Sequence, residues 1–143
     1  MPVDPALRAR REALVKAHVD AENRHDIKAT LATFHHARYD VMPFGQVLDG
    51  PEAVTALLTG MITGFPDFTV KQRALYHADN AVVTEVEMSG THQAPWAGLH
   101  PKDGKTKMKV PVACFFLFDG DRLMSEKLYF DFAAIRQQLT GAA

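Results

Sequence analysis

At Pro66 the hydrophobic period of this chain changes from about 3.6 residues to about 2, so helices come first and strands follow. Before that point, Val54, Leu57, Leu58, Met61, Ile62 and Phe65 trace one face of a helix. Asp49-Gly50-Pro51-Glu52 starts that helix, and Gly64 and Pro66 stop it. Earlier, Pro5 to Arg24 carries Leu7, Leu14, Val15, His18 and Ala21 to Glu22 at helical spacing, with Asp4 as N-cap and Pro5 in the first turn. Asp26 caps a second, short helix striped by Ile27, Leu31 and Phe34. A brief strand, Arg38 to Met42, ends at Pro43 and Gly45.

After Pro66, Phe68, Val70, Ala74 and Tyr76 share one strand face and Lys71 and Arg73 the other. The turn His77 to Asn80 leads into Val82 to His92, where Val86 and Met88 oppose Glu85 and Glu87. In the next strand Met108, Val110, Val112 and Cys114 oppose Lys107 and Lys109. An acidic strand between two basic ones predicts a meander in chain order, with Lys71 near Glu87 and Arg73 near Glu85. Such solvated pairs are worth ~0.2–1 kcal/mol each and act on register more than on stability.

Asp119-Gly120 signals a hairpin, followed by a last strand, Leu123 to Asp131, and a closing helix, Phe132 to Leu139. With Asp119 and Gly120 as the loop, Phe118 pairs with Asp121. Asp131 then lies opposite Met108, Tyr129 opposite Val110 and Lys127 opposite Val112. Residues directly opposite share a face. Asp131 is therefore expected to point at the apolar interior, where burial raises a carboxyl pKa toward the range useful in proton transfer. Capping the closing helix is the other reading of Asp131. Ala113, Phe115 and Leu117 make the opposite face of their strand apolar, and a homodimer through this convex face is the expected cover.

The 143 residues fit one domain, spanning 1–143, with enough chain to bury a core. A net charge of −1 offers no general attraction to nucleic acid or anionic lipid. The longest apolar run, Val110 to Phe118, is too short for a membrane span and contains Pro111. Met-Pro-Val-Asp-Pro lacks the apolar run of a secretory signal, so the expected compartment is the cytoplasm. The single cysteine, Cys114, lies in the most apolar run and reads as an inert core thiol.

The stretch Met88 to Lys105 contains a long loop with the only tryptophan. Trp96 is either a lid over a cavity or an anchor into the core. His92 has the parity of Val86 and Met88. It is either an inward proton donor or a loop-base histidine bonded to backbone. His18, Glu22 and His25 stand at i, i+4 and i+7 of the first helix, but without a helical zinc-protease motif they read as a solvated face or pocket rim, and no metal is expected. Gly90, Gly98 and Gly104 fit neither phosphate-cradling pattern, and there is no Gly-x-Ser-x-Gly elbow.

Gly90-Thr91-His92, the loop on to Pro101-Lys-Asp-Gly-Lys105, Phe118-Asp-Gly-Asp-Arg-Leu123 and Tyr129-Phe130-Asp131 with Gln138-Leu139-Thr-Gly141 resemble the SnoaL-like polyketide cyclases. Asn23 to Asp26, Gly50-Pro-Glu-Ala-Val54 and Phe65-Pro-Asp67 are similar to the same family, so the resemblance runs over nearly the whole chain. It implies an α+β fold of the nuclear transport factor 2 and ketosteroid isomerase type. In that fold a cone-shaped barrel of curved, mostly antiparallel sheet is wrapped on N-terminal helices, usually as a homodimer. It also implies cofactor-free acid–base chemistry, with the family's essential Asp at Asp131. The family's strand histidine has no counterpart between Val110 and Phe118, and Met42 stands where relatives often carry a histidine, so the pocket reads as greasier. The expected activity is proton abstraction by Asp131 from a hydrophobic carbonyl compound, with His92, Tyr39 or Tyr129 supporting the enolate oxygen. Trp96, Phe44, Met42 and Met88 are expected to line the cavity. A non-catalytic binder of small hydrophobic ligands, or an isomerase or dehydratase on the same scaffold, is the alternative.

Overall fold

A computed structural model describes residues 3–142. The helix α1 (Pro5–Asn23) starts at Asp4, whose carboxylate accepts from the Leu7 N–H at 3.2 Å. The short α2 (Ile27–Ala32) starts at Asp26, which accepts from the Ala29 N–H. Then come β1 (Arg38–Val41), a 3-10 turn (Met42–Phe44), β2 (Gln46–Asp49) and α3 (Pro51–Gly64). The strands β3 (Thr69–Ala78), β4 (Ala81–Thr91), β5 (Lys107–Asp119) and β6 (Arg122–Phe130) lead to α4 (Phe132–Thr140). No helix among the described residues is long and apolar enough to cross a membrane.

One six-stranded sheet runs β2-β1-β6-β5-β4-β3. β3 to β6 form the expected meander, and β1 pairs with β6 in parallel. The fold is α+β with a curved sheet, but the sheet is not closed: β2 and β3 remain edges. β2 was not anticipated, because a four-residue strand of Gln-Val-Leu-Asp shows no alternation that separates it from a turn.

Lys71 does pair with Glu87. Arg73 sits at an irregularity between Gln72 and Ala74, and its guanidinium reaches Glu87 at 3.1 Å rather than Glu85. That extra residue inverts the parity of the rest of β3. Leu75 joins the core and Tyr76 is exposed, the reverse of the expected facing.

The core lies between the concave sheet face and the helices. Val15 and Val19 of α1 pack with Val82, Val86, Met108, Val110, Val112 and Phe116. Arg11 is also buried. Its Nε and Nη1 donate to the carbonyls of Gly120 (2.9 Å) and Asp79 (3.0 Å), and its guanidinium lies 5.2 Å from the Phe118 ring centre. One side chain thus ties α1 to both hairpin turns.

Candidate active site

The β5–β6 hairpin turns one residue later than expected: Asp119 pairs with Arg122, and Gly120, at φ +62°, sits in the loop. β6 then carries an extra residue. Phe118 pairs with Leu123 but Leu117 pairs with Ser125, so Met124 is unpaired, a β-bulge. Beyond it Phe116 faces Glu126, Cys114 faces Leu128 and Val112 faces Phe130. The shift is odd in total, so the faces of β6 are exchanged. Asp131, Tyr129 and Lys127 do not share the face of Met108, Val110 and Cys114.

Asp131 is exposed and caps α4, accepting from the Ala134 N–H at 3.1 Å. The capping reading of this residue is the one observed. Tyr129 is 44% exposed on the convex face. Neither reaches the interior.

The acid that does is Glu126, 2% exposed. Tyr39 lies beside it on β1 and His18 and Glu22 face it from α1, one turn apart. His18 Nδ1 is 2.7 Å from Thr33 Oγ1, whose own hydroxyl donates to the Thr30 carbonyl. The Thr33 oxygen therefore accepts, and Nδ1 carries a proton. Nε2 faces three oxygens: Tyr39 Oη at 2.9 Å, Glu22 Oε1 at 3.2 Å and Glu126 Oε2 at 3.0 Å. The Glu126 contact is a charge contact, off the hydrogen-bond line, so Oε2 is left without a hydrogen-bond partner.

Burial pulls the His18 pKa down, but the charges of Glu22 and Glu126 outweigh it and push it up to about 10. His18 is thus an imidazolium near neutral pH. Burial, and then repulsion from Glu22, raises the Glu126 carboxyl, with His18 opposing. Burial likewise raises the Tyr39 hydroxyl and the Cys114 thiol well above their usual ranges, so both stay protonated. The group can hold and release one proton at Glu126 against a fixed positive charge.

The nitrogen of His18 and the carboxyls of Glu22 and Glu126 lie within 4.8 Å of one another, near enough to hold a cation. The third residue of the set is Glu126, while His25 bonds the Phe68 carbonyl; His18 is fully buried and does not lie on a solvated face. Tyr39 Oη, however, stands directly on Nε2, where a cation would bind. The cluster therefore fits a proton-sharing network better than a metal cage.

Glu126 and Glu22 border a cavity of about 60 Å³ between α1 and the sheet. Its walls are otherwise apolar apart from Thr84 and Cys114, and include Val86, Met88, Phe116 and Phe130. Among the sequence candidates only Met88 lines it. Tyr39 acts through its hydroxyl on His18 and Glu22. Met42 is 41% exposed, and Phe44 and Trp96 stand outside the cavity. Trp96 packs against Phe44, Phe65 and Phe132 with ring centres 5.4–6.1 Å apart. That is the anchor reading, set by a tight turn with Ala97 and Gly98 at positive φ. His92 is buried as its parity implied, stacked on Phe65 at 5.2 Å with neither ring nitrogen bonded, and it does not border the cavity.

The sequence profile described as SnoaL-like polyketide cyclase matches residues 12–139. Among solved structures, a SnoaL-like protein from Jannaschia sp. CCS1 superposes with a TM-score of 0.83 at 15% identity, covering 100% of this chain and 99% of that one. A protein of ketosteroid isomerase-like fold from Catenulispora acidiphila DSM 44928, in complex with trimethylamine, gives 0.73 at 20%, covering 88% and 91%. TsrD from Streptomyces laurentii gives 0.77 at 18%, covering 99% and 100%. No curated protein matches the chain.

Proposed function

The chain belongs to the SnoaL-like polyketide cyclase family, and from that premise we propose that it is a cofactor-free acid–base enzyme acting on an apolar carbonyl compound in the enclosed pocket. The observation that carries this reading is Glu126: a buried carboxyl with raised pKa, ion-paired with His18 at 3.0 Å, at the wall of a greasy cavity. In its ionised form Glu126 takes a proton from the carbon α to the carbonyl, leaving an enolate. The enolate recovers the proton from Glu126 at another carbon, or its carbon attacks a second carbonyl whose oxygen, now an alkoxide, takes that proton; either way Glu126 is ionised again. The His18 imidazolium balances the carboxylate before the transfer. Thr33 fixes the ring, and Tyr39 bridges it to Glu22. Asp131 takes no part.

The test is exchange of α-hydrogen for deuterium in small cyclic ketones in D2O, followed by NMR. The wild-type protein is expected to accelerate exchange over buffer, Glu126→Gln to abolish the acceleration, and Asp131→Asn to keep it. Binding of the ketones with no acceleration would make the protein a ligand carrier instead. The same reading includes a homodimer through the convex face, where Phe115 and Tyr129 stack edge to face at 5.5 Å.

A further inference from the structure

Two polar side chains border the cavity from the sheet: Glu126, whose Oε2 is ion-paired with His18 at 3.0 Å, and Thr84, whose hydroxyl has no nitrogen or oxygen partner. Thr84 is fully buried in the middle of β4. Its neighbour across the ladder, Cys114, offers a thiol, a weak partner. Valine would fill the same space without a buried hydroxyl to satisfy, so a threonine here points to a partner that enters the cavity. Thr84 and Glu126 share the concave face with β5 between them, Thr84 opposite Cys114 and Glu126 opposite the inward Phe116 two residues on. An oxygen atom entering the cavity beside β4 can accept from the Thr84 hydroxyl, with the Glu126 carboxyl on the same wall.

Size restricts what carries that oxygen. At roughly 10–15 Å³ for one water, about 60 Å³ holds a handful of non-hydrogen atoms, and pockets for drug-sized ligands run from about 300 Å³. The walls are side chains of α1 and of the paired strands β3 to β6, with Phe68 from the turn before β3. We infer that the pocket takes a single-ring or short-chain apolar molecule bearing one hydroxyl or carbonyl oxygen, anchored by the Thr84 hydroxyl, and that it excludes polycyclic compounds. This rests on the pocket identified above as the reaction site, but on its shape and polarity rather than on turnover.

The experiment is calorimetric titration of the full chain with p-cresol, toluene and 2-naphthol, phenols being stable mimics of an enol. p-Cresol is expected to bind about tenfold more tightly than toluene, the worth of one well-made hydrogen bond to a buried group. 2-Naphthol is expected to bind at least about tenfold more weakly than p-cresol. Thr84→Val should lose most of the p-cresol advantage and leave toluene unchanged, with an unaltered melting temperature showing that the variant folds. Naphthol binding as tightly as cresol overturns the size limit. Equal affinity for cresol and toluene, no binding of either, or an indifferent Thr84→Val overturns the oxygen anchor. Binding as expected without deuterium exchange keeps this inference and removes the enzymatic reading. Exchange on bulky ketones without cresol binding does the reverse.

Discussion

Glu126 stands opposite Phe116 because Met124, an unpaired residue in β6, absorbs one step of the ladder. Drawn as a regular strand from the Asp119–Arg122 pair, β6 would put Ser125 opposite Phe116 and Lys127 opposite Cys114. A lysine would then point into the core and the glutamate away from it. Bulges often re-aim a side chain beside a functional site, and this one determines which acid the pocket receives. Deleting Met124 makes the ladder continuous while keeping Glu126 opposite Phe116. The deletion variant is expected to fold and to keep the pH behaviour of Glu126 described next. Collapse of the fold in a thermal melt would show that the bulge is needed for more than facing.

Glu126 and His18 both hold their protons to higher pH in the folded chain than in the unfolded one. Each therefore contributes stability that is present at low pH and lost as pH rises: for Glu126 upward from its ordinary 4.5, for His18 between 6.5 and about 10. Asp67 acts in the opposite sense. The Thr91 hydroxyl and backbone N–H lower its pKa, so its contribution disappears as pH falls through the folded value. Glu126→Gln removes the titrating carboxyl and keeps its shape. Its stability should match wild type near about pH 4.5 and exceed it increasingly toward about pH 8, as urea midpoints at several pH values would show. Parallel profiles would mean that Glu126 is not the proton-holding acid.

The capping role of Asp131 gives a prediction that separates it from the pocket. Asn caps a helix as well as Asp does, so Asp131→Asn should be nearly neutral, whereas Asp131→Ala should cost about 1 kcal/mol by chemical denaturation. Neither should change ligand binding. A loss of binding in Asp131→Asn at unchanged stability would return this residue to the site.

Much of the fold could be read from the periodicity. The α3 stripe, the caps Asp4 and Asp26, the meander and the inward face of β4 and β5 follow from spacing and turn residues alone. The site could not, for a physical reason. Side-chain facing in a strand has a period of 2, so one unsignalled extra residue exchanges the faces from there on. Met124 is neither glycine nor proline and gives no sign of a bulge, and the hairpin turned one residue late. His18 and Glu22 were visible as a helical pair, but their partner came from β6, far along the chain, where Ser-Glu-Lys reads as a solvated stretch. Met88 lies where its parity places it, and Tyr39, expected only as a neighbouring donor, is buried beside Glu126. Phe44 and Trp96 belong to a separate aromatic cluster, and Met42 is 41% exposed.

Arg11 is predicted to matter for stability rather than for chemistry. Its guanidinium is the buried partner of carbonyls in both hairpin turns. Arg11→Met keeps most of the packing over Phe118 and removes both hydrogen bonds, a loss of about 2 kcal/mol. Urea unfolding would measure it. A change under about 0.5 kcal/mol would show that water replaces the guanidinium at both turns.

The convex face supplies the last prediction. Phe115 lies at its centre, on β5 between two paired strands, with Val83 and Tyr129 beside it and Tyr76 55% exposed on β3. Apolar side chains grouped on one sheet face are a self-complementary patch, and two copies related by a twofold axis can cover it with no other partner. Light scattering after size exclusion is therefore expected to give twice the 15.8 kDa chain mass. Phe115→Glu puts a charge at the centre of the contact on both copies and should shift the particle to 15.8 kDa with the pocket intact. A wild-type monomer across the micromolar range, or a dimer indifferent to Phe115→Glu, would locate assembly elsewhere. Because the cavity lies on the opposite, concave side of the sheet, the monomeric variant should still bind p-cresol with unchanged affinity.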